Sequence, residues 1–158
     1  MAELITWTRF KDSRGCFEET FKPEYLGQVF VQDNQSWSKR GVIRGLHYQP
    51  GMGKLMRVVC GAAYLVALNL RTGEHISIAL TEEDSSAIWA PDYFARGFQA
   101  LDNNTIIAYK CTDVYNPATE GAVRWDSVGI KWPLEPTIIS PKDRTAPTFE
   151  QYRLDPKF

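Results

Sequence analysis

Hydrophobic and polar residues alternate in short runs along most of the chain, and no long helical periodicity is present. These runs are rich in β-branched and aromatic residues and are bounded by Gly, Pro, Asn or Asp, which is typical of β-strands. The predicted strands are residues 28–34, 41–48, 54–60, 62–70, 75–80, 86–90, 98–101, 105–112 and 122–125. Short strands at this spacing predict an all-β sandwich or barrel, and a two-sheet jelly roll would close such a set.

The segments between these strands predict turns, two single helical turns and an extended arm. Residues 22–26 and 82–85 each fit one helical turn, and Thr72-Gly73 fits the tight turn of a hairpin. From Trp132 onward, repeated prolines exclude a regular central strand. We therefore predict one all-β domain over residues 1–158, whose last quarter wraps the barrel as an arm.

Composition and charge exclude several classes of protein. The chain of 158 residues has a formal net charge of -1 and no basic run with interleaved aromatics, so no nucleic-acid partner is predicted. The N-terminal segment does not fit a signal peptide and no stretch of apolar residues is long enough to span a membrane, which predicts a cytoplasmic protein without a membrane partner. Cys16, Cys60 and Cys111 lack the spacing of a disulfide framework or zinc site.

The stretch Gly41–Gln49, with the sequence GVIRGLHYQ, contains the first candidate for chemistry. His47 lies there near Arg44, and a near-neutral base beside a fixed positive charge suits proton abstraction from an anionic substrate. A lone histidine on a strand is also commonly a structural residue. Strand alternation places Arg44 and His47 on opposite faces, so both can line one cavity only if a bulge or twist near Gly45 intervenes, or if the substrate reaches both sides of the strand end.

A metal site is not predicted, although barrels of this type often hold a metal on histidines and a carboxylate. His47 and His75 are the only histidines, and no HxH pair exists. Residues 90–98 resemble the second cupin motif, but Arg96 stands where a metal-binding cupin has a histidine ligand. The guanidinium of Arg96 would repel a metal cation, so no metal is expected here. The basic residues of the chain are better suited to binding an anionic substrate.

Several separated segments, taken together, resemble the dTDP-4-dehydrorhamnose 3,5-epimerase (RmlC-like) family of the cupin superfamily. The resemblance covers nearly the whole chain, and an RGLHYQ core with an upstream QDN is highly specific. The matching segments are residues 30–34, 41–49, 53–55, 91–98, 109–110, 115–117, 120–121 and 140–143. On local grounds alone, Tyr109 and Tyr115 are typical of core tyrosines and Asp143 of a surface turn.

This resemblance implies an epimerase that needs no cofactor and acts at C3 and C5 of a nucleotide-linked 4-keto-6-deoxy sugar. It implies that His47 is the general base and that Asp143 orients it. Tyr109 would donate a proton on the opposite face of the sugar, and Lys54 would stabilise the enolate oxygen at C4. Positions implied to bind the nucleotide diphosphate sugar, including an aromatic that stacks on thymine, are Arg14, Glu19, Gln32, Asp33, Asn34, Arg44, Arg96, Tyr115, Glu120 and Lys142. A homodimer is also implied, in which an N-terminal strand crosses to the partner's sheet.

Arg96 departs from the family pattern, which commonly has a histidine at this position near the sugar. An arginine can bind a hydroxyl or a phosphate, but it cannot shuttle a proton at neutral pH. Alternatives to the double epimerase therefore stay open. One is a mono-epimerase at C3 or C5, or an epimerase of a CDP- or GDP-linked sugar. Another is a non-catalytic sugar-nucleotide-binding cupin, which would not need a base, a proton donor and an orienting carboxylate together.

Overall fold

The computed structural model describes residues 1–158 and contains two five-stranded antiparallel sheets and a separate hairpin. The strands are β1 (Glu3–Thr6), β2 (Arg9–Asp12), β3 (Gly15–Glu18), β4 (Gln32–Ser38), β5 (Ile43–Tyr48), β6 (Lys54–Cys60), β7 (Ala62–Asn69), β8 (His75–Thr81), β9 (Ser86–Ala90), β10 (Phe94–Ala100), β11 (Thr105–Cys111) and β12 (Gly121–Ala122). Sheet I has the order β1, β9, β6, β11, β4, and sheet II the order β12, β5, β10, β7, β8, while β2 pairs with β3. The predicted all-β sandwich is confirmed.

Helical structure is confined to short segments. A 3-10 turn covers Pro23–Tyr25, α1 covers Pro141–Arg144 and α2 covers Phe149–Tyr152. The helical turn predicted at residues 22–26 is confirmed. The one predicted at 82–85 is wrong, because Asp84 instead accepts hydrogen bonds from the amide and hydroxyl of Thr81 and stabilises the non-helical turn that connects β8 in sheet II to β9 in sheet I. No helix is long and apolar enough to cross a membrane.

The strand boundaries differ from the prediction where burial overrides local sequence. The strand predicted at 28–34 begins only at Gln32, and Val29 before it is 76% exposed. The strand predicted at 98–101 begins already at Phe94, because every residue of β10 is buried between its two neighbouring strands. The strand predicted at 122–125 ends at Ala122.

The hydrophobic core lies between the sheets, and each sheet also buries part of its outer face. On β7, Leu65 and Ala67 belong to the inner core, while Val66 and Leu68 pack on the other side against the C-terminal arm, including Tyr152. Both faces of β7 are therefore buried, which explains its uninterrupted apolar sequence. The arm predicted from the prolines indeed covers this outer face.

A β-bulge in β5 sets the geometry of the open end of the sandwich. On β10, Arg96 pairs with His47 and Phe98 with Arg44, so two steps on β10 match three steps on β5. Gly45 lies within the bulge with φ at 124°, and a Cβ there would lie 2.6 Å from the Cα of Gly97. The bulge predicted near Gly45 is confirmed, and it lets Arg44 and His47 line the same cavity.

Candidate active site

A cavity of about 480 Å³ opens between the two sheets and is lined by residues from both of them and from the C-terminal arm. It contains every residue that was predicted to be catalytic and three that were predicted to bind substrate. These residues are His47, Lys54, Tyr109, Asp143, Arg44, Arg96 and Lys142. The fold thus brings together side chains that are far apart in the sequence.

His47 and Asp143 form a hydrogen-bonded pair on the sheet II side of this cavity. The His47 Nε2 to Asp143 Oδ1 distance is 2.6 Å, and Asp143 is only 3% exposed. Burial would raise the pKa of Asp143, but the bond from His47, its charge and the Gly45 amide lower it overall. Because a carboxylate only accepts hydrogen bonds, Nε2 carries the proton and Nδ1 is the basic nitrogen.

A short helix delivers Asp143 to His47. Ser140 caps α1 and its Oγ accepts a hydrogen bond of 3.1 Å from the Asp143 amide, while Pro141 occupies the first helical turn. The chain just before the cap is tied to β5, since the Ile43 amide donates to the carbonyl of Ile138. The surface turn predicted locally around Asp143 is therefore wrong, because capping turns this carboxylate inward.

Lys54 and Tyr109 lie on sheet I, which faces the sheet that carries His47. The Lys54 Nζ is 5.0 Å from the centroid of the Tyr109 ring. Burial lowers the pKa of Lys54, and the nearby charge of Arg96 lowers it further. Burial raises the pKa of Tyr109, so its hydroxyl keeps its proton at neutral pH. The cavity therefore has a base on one sheet and a cation with a protonated phenol on the other.

Two arginines of the cavity are held in different ways. Arg44 is exposed and donates from Nε to Ser38 Oγ at 3.0 Å. Arg96 is 3% exposed and donates from its terminal nitrogens to the main-chain carbonyls of Met52 and Phe94, while its Nε has no partner. Burial lowers the pKa of Arg96 to about 10. The terminal nitrogens of Arg96 thus connect β10 to the loop just before Lys54, and these are the groups that could otherwise bind a phosphate.

A cluster of polar side chains lies next to the cavity. The Tyr115 hydroxyl donates to Glu120 Oε2 at 3.1 Å, and Lys142 Nζ donates to the same oxygen. Gln32 accepts from the Tyr115 amide at 2.8 Å and donates to Asn34 at 3.0 Å. The register of β4 and β11 makes Asn34 the neighbour of Tyr109, which connects this cluster to the cavity wall.

Three predicted binding residues lie neither in the cavity nor in this polar cluster. Asp33 points to the opposite face of β4 and pairs with Lys110 at 2.9 Å. Arg14 lies at the tip of the β2–β3 hairpin and pairs with Asp12. Glu19 pairs with Lys22 in the N-terminal segment. The structure therefore places these three side chains apart from the cavity and from the polar cluster around Glu120.

Polar residues that were not predicted from the sequence also support the site. Ser36 and Ser38 line the cavity, and Ser38 holds Arg44. The period of two along β4 could have identified them, because they share a face with Gln32 and Asn34. Ser140 could have been identified from its position before a proline and three residues before Asp143, which is a helix-cap pattern.

Comparison with known proteins identifies the relatives of this fold and site. The family model described as dTDP-4-dehydrorhamnose 3,5-epimerase matches residues 2–151. The chain belongs to this family. Its members with that name are isomerases that act on carbohydrates, and the RmlC-like resemblance inferred from the sequence is confirmed.

Individual relatives support the same assignment. The dTDP-4-dehydrorhamnose 3,5-epimerase of Methanothermobacter thermautotrophicus is 42% identical over 152 residues, covering 85% of this chain and 82% of that protein. The protein of the same name from Neisseria gonorrhoeae is 41% identical over 157 residues, covering 90% of this chain. The chain spans about half of that longer protein, 48% of its length.

A solved family member closely matches the structure. The crystal structure of dTDP-6-deoxy-D-glucose-3,5-epimerase RmlC from Legionella pneumophila, in complex with dTDP-4-keto-L-rhamnose, has a TM-score of 0.89 and 38% sequence identity. The match covers 94% of this chain and 88% of the Legionella chain. The jelly-roll fold is therefore the fold of this family.

Proposed function

We propose that the protein is a cofactor-independent epimerase that converts dTDP-4-dehydro-6-deoxyglucose to dTDP-4-dehydrorhamnose by inversion at C3 and C5. One observation carries the proposal. A base paired with a buried carboxylate faces a protonated phenol across a single cavity, with the two groups on opposite sheets. Inversion of a carbon centre requires such a pair, because the proton must leave from one face and return to the other.

In the first step, Nδ1 of His47 removes the proton from C3 or C5, which the C4 ketone acidifies. The C–H electron pair becomes the enolate double bond, and negative charge develops on the C4 oxygen. Lys54 stabilises this oxygen, an effect of about 3–4 kcal/mol for a well-placed donor in a dry site. Asp143 stabilises the imidazolium that forms at the same time.

In the second step, the Tyr109 hydroxyl donates a proton to the carbon from the opposite face. The enolate electrons return to form the carbonyl, and the configuration at that carbon is inverted. His47 then loses its proton to water and Tyr109 regains one, which restores the site. No hydride moves, so the reaction requires neither flavin nor nicotinamide.

The nucleotide part of the substrate would bind at the mouth of the cavity. Arg44 and Lys142 can each form charge-assisted hydrogen bonds with the pyrophosphate, and Tyr115, which is 49% exposed, can stack on thymine. These contacts would position the sugar through its nucleotide diphosphate, which lies away from the reacting carbons. The dTDP-sugar in the related Legionella structure supports this choice of substrate.

We also propose that the chain is one domain, acts in the cytoplasm and forms a homodimer. The β2–β3 hairpin leaves Phe10 and Phe17 exposed by 54% and 64%, and a second copy of the chain would cover such side chains. Arg14 and Glu19 belong to the same N-terminal region and lie outside the cavity of their own chain. Sedimentation of the purified protein would measure the stoichiometry.

A mono-epimerase is the second candidate, because Arg96 stands where the family commonly has histidine and its terminal donors are engaged with the main chain. Proton NMR of dTDP-4-dehydro-6-deoxyglucose in heavy water, with a 4-ketoreductase to trap the product, distinguishes the two. Loss of both the C3 and C5 signals with formation of dTDP-rhamnose is expected. Exchange at one carbon would assign a mono-epimerase. Absence of exchange, repeated with CDP- and GDP-linked ketosugars, would favour a binding protein.

A further inference from the structure

Glu120 occupies a position between the nucleotide-binding residues and the base. A single oxygen, Oε2, accepts hydrogen bonds from both Lys142 Nζ and the Tyr115 hydroxyl. The Glu120 side chain is 14% exposed, whereas that of Lys142 is 57% exposed. In the substrate-free chain, two residues that would bind the nucleotide are therefore already engaged by the same carboxylate.

The strand pairing also brings Glu120 close to His47. Ala122 pairs with His47 in the β12–β5 ladder, and Glu120 directly precedes β12. Lys142, the ion-pair partner of Glu120, is the sequence neighbour of Asp143, which bonds His47. Burial would raise the pKa of Glu120, but the bond from Lys142 and the charge of His47 outweigh it and lower the pKa. Glu120 is thus an ionised carboxylate near the base.

We propose that Glu120 is a positioning residue that exchanges partners when substrate binds: the pyrophosphate takes Lys142, and the released carboxylate then acts on His47. This inference rests on the proposed function. While Lys142 is paired, its ammonium neutralises the Glu120 charge. Once Lys142 turns to the pyrophosphate, the uncompensated carboxylate stabilises the imidazolium that proton abstraction creates. The substrate's remote charge thereby strengthens the base.

This exchange predicts opposite effects on binding and on turnover. In Glu120→Gln, Lys142 has no competing ion pair, so we expect dTDP to bind about 1.5- to fivefold more tightly, the range set by one solvent-exposed pair. We expect kcat to fall about threefold to tenfold, the size expected for the loss of one nearby charge at an effective dielectric constant of about 20. A residue that merely contacted the nucleotide, or merely supported the fold, would weaken binding when replaced.

The experiment measures dTDP affinity by calorimetry and kcat by coupled assay for the wild type, Glu120→Gln, Lys142→Met and the double variant. Tighter binding in Glu120→Gln that disappears in the Lys142→Met background, together with lower kcat, supports the exchange. Weaker binding, tightening that persists without Lys142, or an unchanged kcat would overturn it.

A matched control separates partner exchange from a general effect of charge. Asp113→Asn removes one negative charge two residues from Tyr115, at an exposed side chain that forms no hydrogen bond or ion pair with Lys142 or Tyr115. We expect its dTDP affinity to equal that of the wild type, and tightening as large as in Glu120→Gln would overturn the proposal. A wild-type protein that neither bound dTDP nor exchanged the sugar protons would instead overturn the proposed function.

Discussion

Replacement of Asp143 by asparagine removes one charge from the dyad and keeps its shape. The His47 Nε2 to Asp143 Oδ1 distance is 2.6 Å, and the carboxylate is 3% exposed, so solvent screens the pair weakly. Two unit charges about 4 Å apart interact by about 4 kcal/mol at an effective dielectric constant of about 20. That interaction forms only when His47 takes up a proton. We therefore expect kcat to fall by about 10²- to 10³-fold.

The Michaelis constant is expected to change little, because Asp143 acts on the charge that develops in the transition state. If the asparagine turns its NH₂ group toward His47, the imidazole proton moves to Nδ1, and the base is lost with the same result. Glu150→Gln makes the same change in charge at an exposed position of α2 and serves as the control. Steady-state kinetics with the ketoreductase trap measure both parameters. A folded Asp143→Asn protein whose kcat lay within threefold of the wild type would refute the reasoning.

Three further predictions test the bulge, the cavity cation and the N-terminal hairpin. Gly45→Ala adds a Cβ at a positive-φ position of the bulge, 2.6 Å from the Cα of Gly97, so we expect the unfolding free energy to fall by about 2–4 kcal/mol. Gly27→Ala, which also has a positive φ but nothing within 4 Å of the added Cβ, should cost only about 1 kcal/mol. Equal losses of the two variants in urea titrations would contradict this. Lys54→Met removes a half-buried cation that lies near Arg96, so we expect the Tm to hold or rise while kcat falls about 10²-fold or more. A lower Tm with unchanged kcat would count against the role of Lys54. Burial raises the pKa of Glu18, but hydrogen bonds from Arg9 and Ser85 outweigh this and lower the pKa overall. The loss of unfolding free energy in Glu18→Gln should therefore be largest above the ordinary pKa of 4.5 and should vanish as the pH falls through the lowered pKa. A loss of stability that grows on acidification would contradict this.

The sequence predicted the sandwich well because period-two patterning and turn residues are local signals. It failed where the decisive contact is distant. β1 to β3 were not predicted: β1 pairs with β9, at least eighty residues away, and Arg9 of the β2–β3 hairpin bonds to Glu83, which is 74 residues away. Contacts between residues this far apart produce no pattern that a short window of sequence can detect.

The candidate site divides in the same way. The bulge at Gly45 followed from the requirement that Arg44 and His47 meet, which is a local argument about alternation. The partnership of His47 with Asp143 did not, since they are 96 residues apart and α1 is too short to show periodicity. Only the family resemblance pointed to Asp143, and the buried contact gives it a physical reason.

In the proposed mechanism, proton removal and proton return occur on opposite faces of the sugar, from His47 and Tyr109 on facing sheets. Tyr109→Phe tests it most directly, because it leaves the base intact and removes the donor hydroxyl. Deuterium incorporation and inversion at C3 and C5 should be followed by NMR in one sample in heavy water. The account predicts that exchange continues while inversion falls far more steeply. Equal loss of exchange and inversion would contradict it.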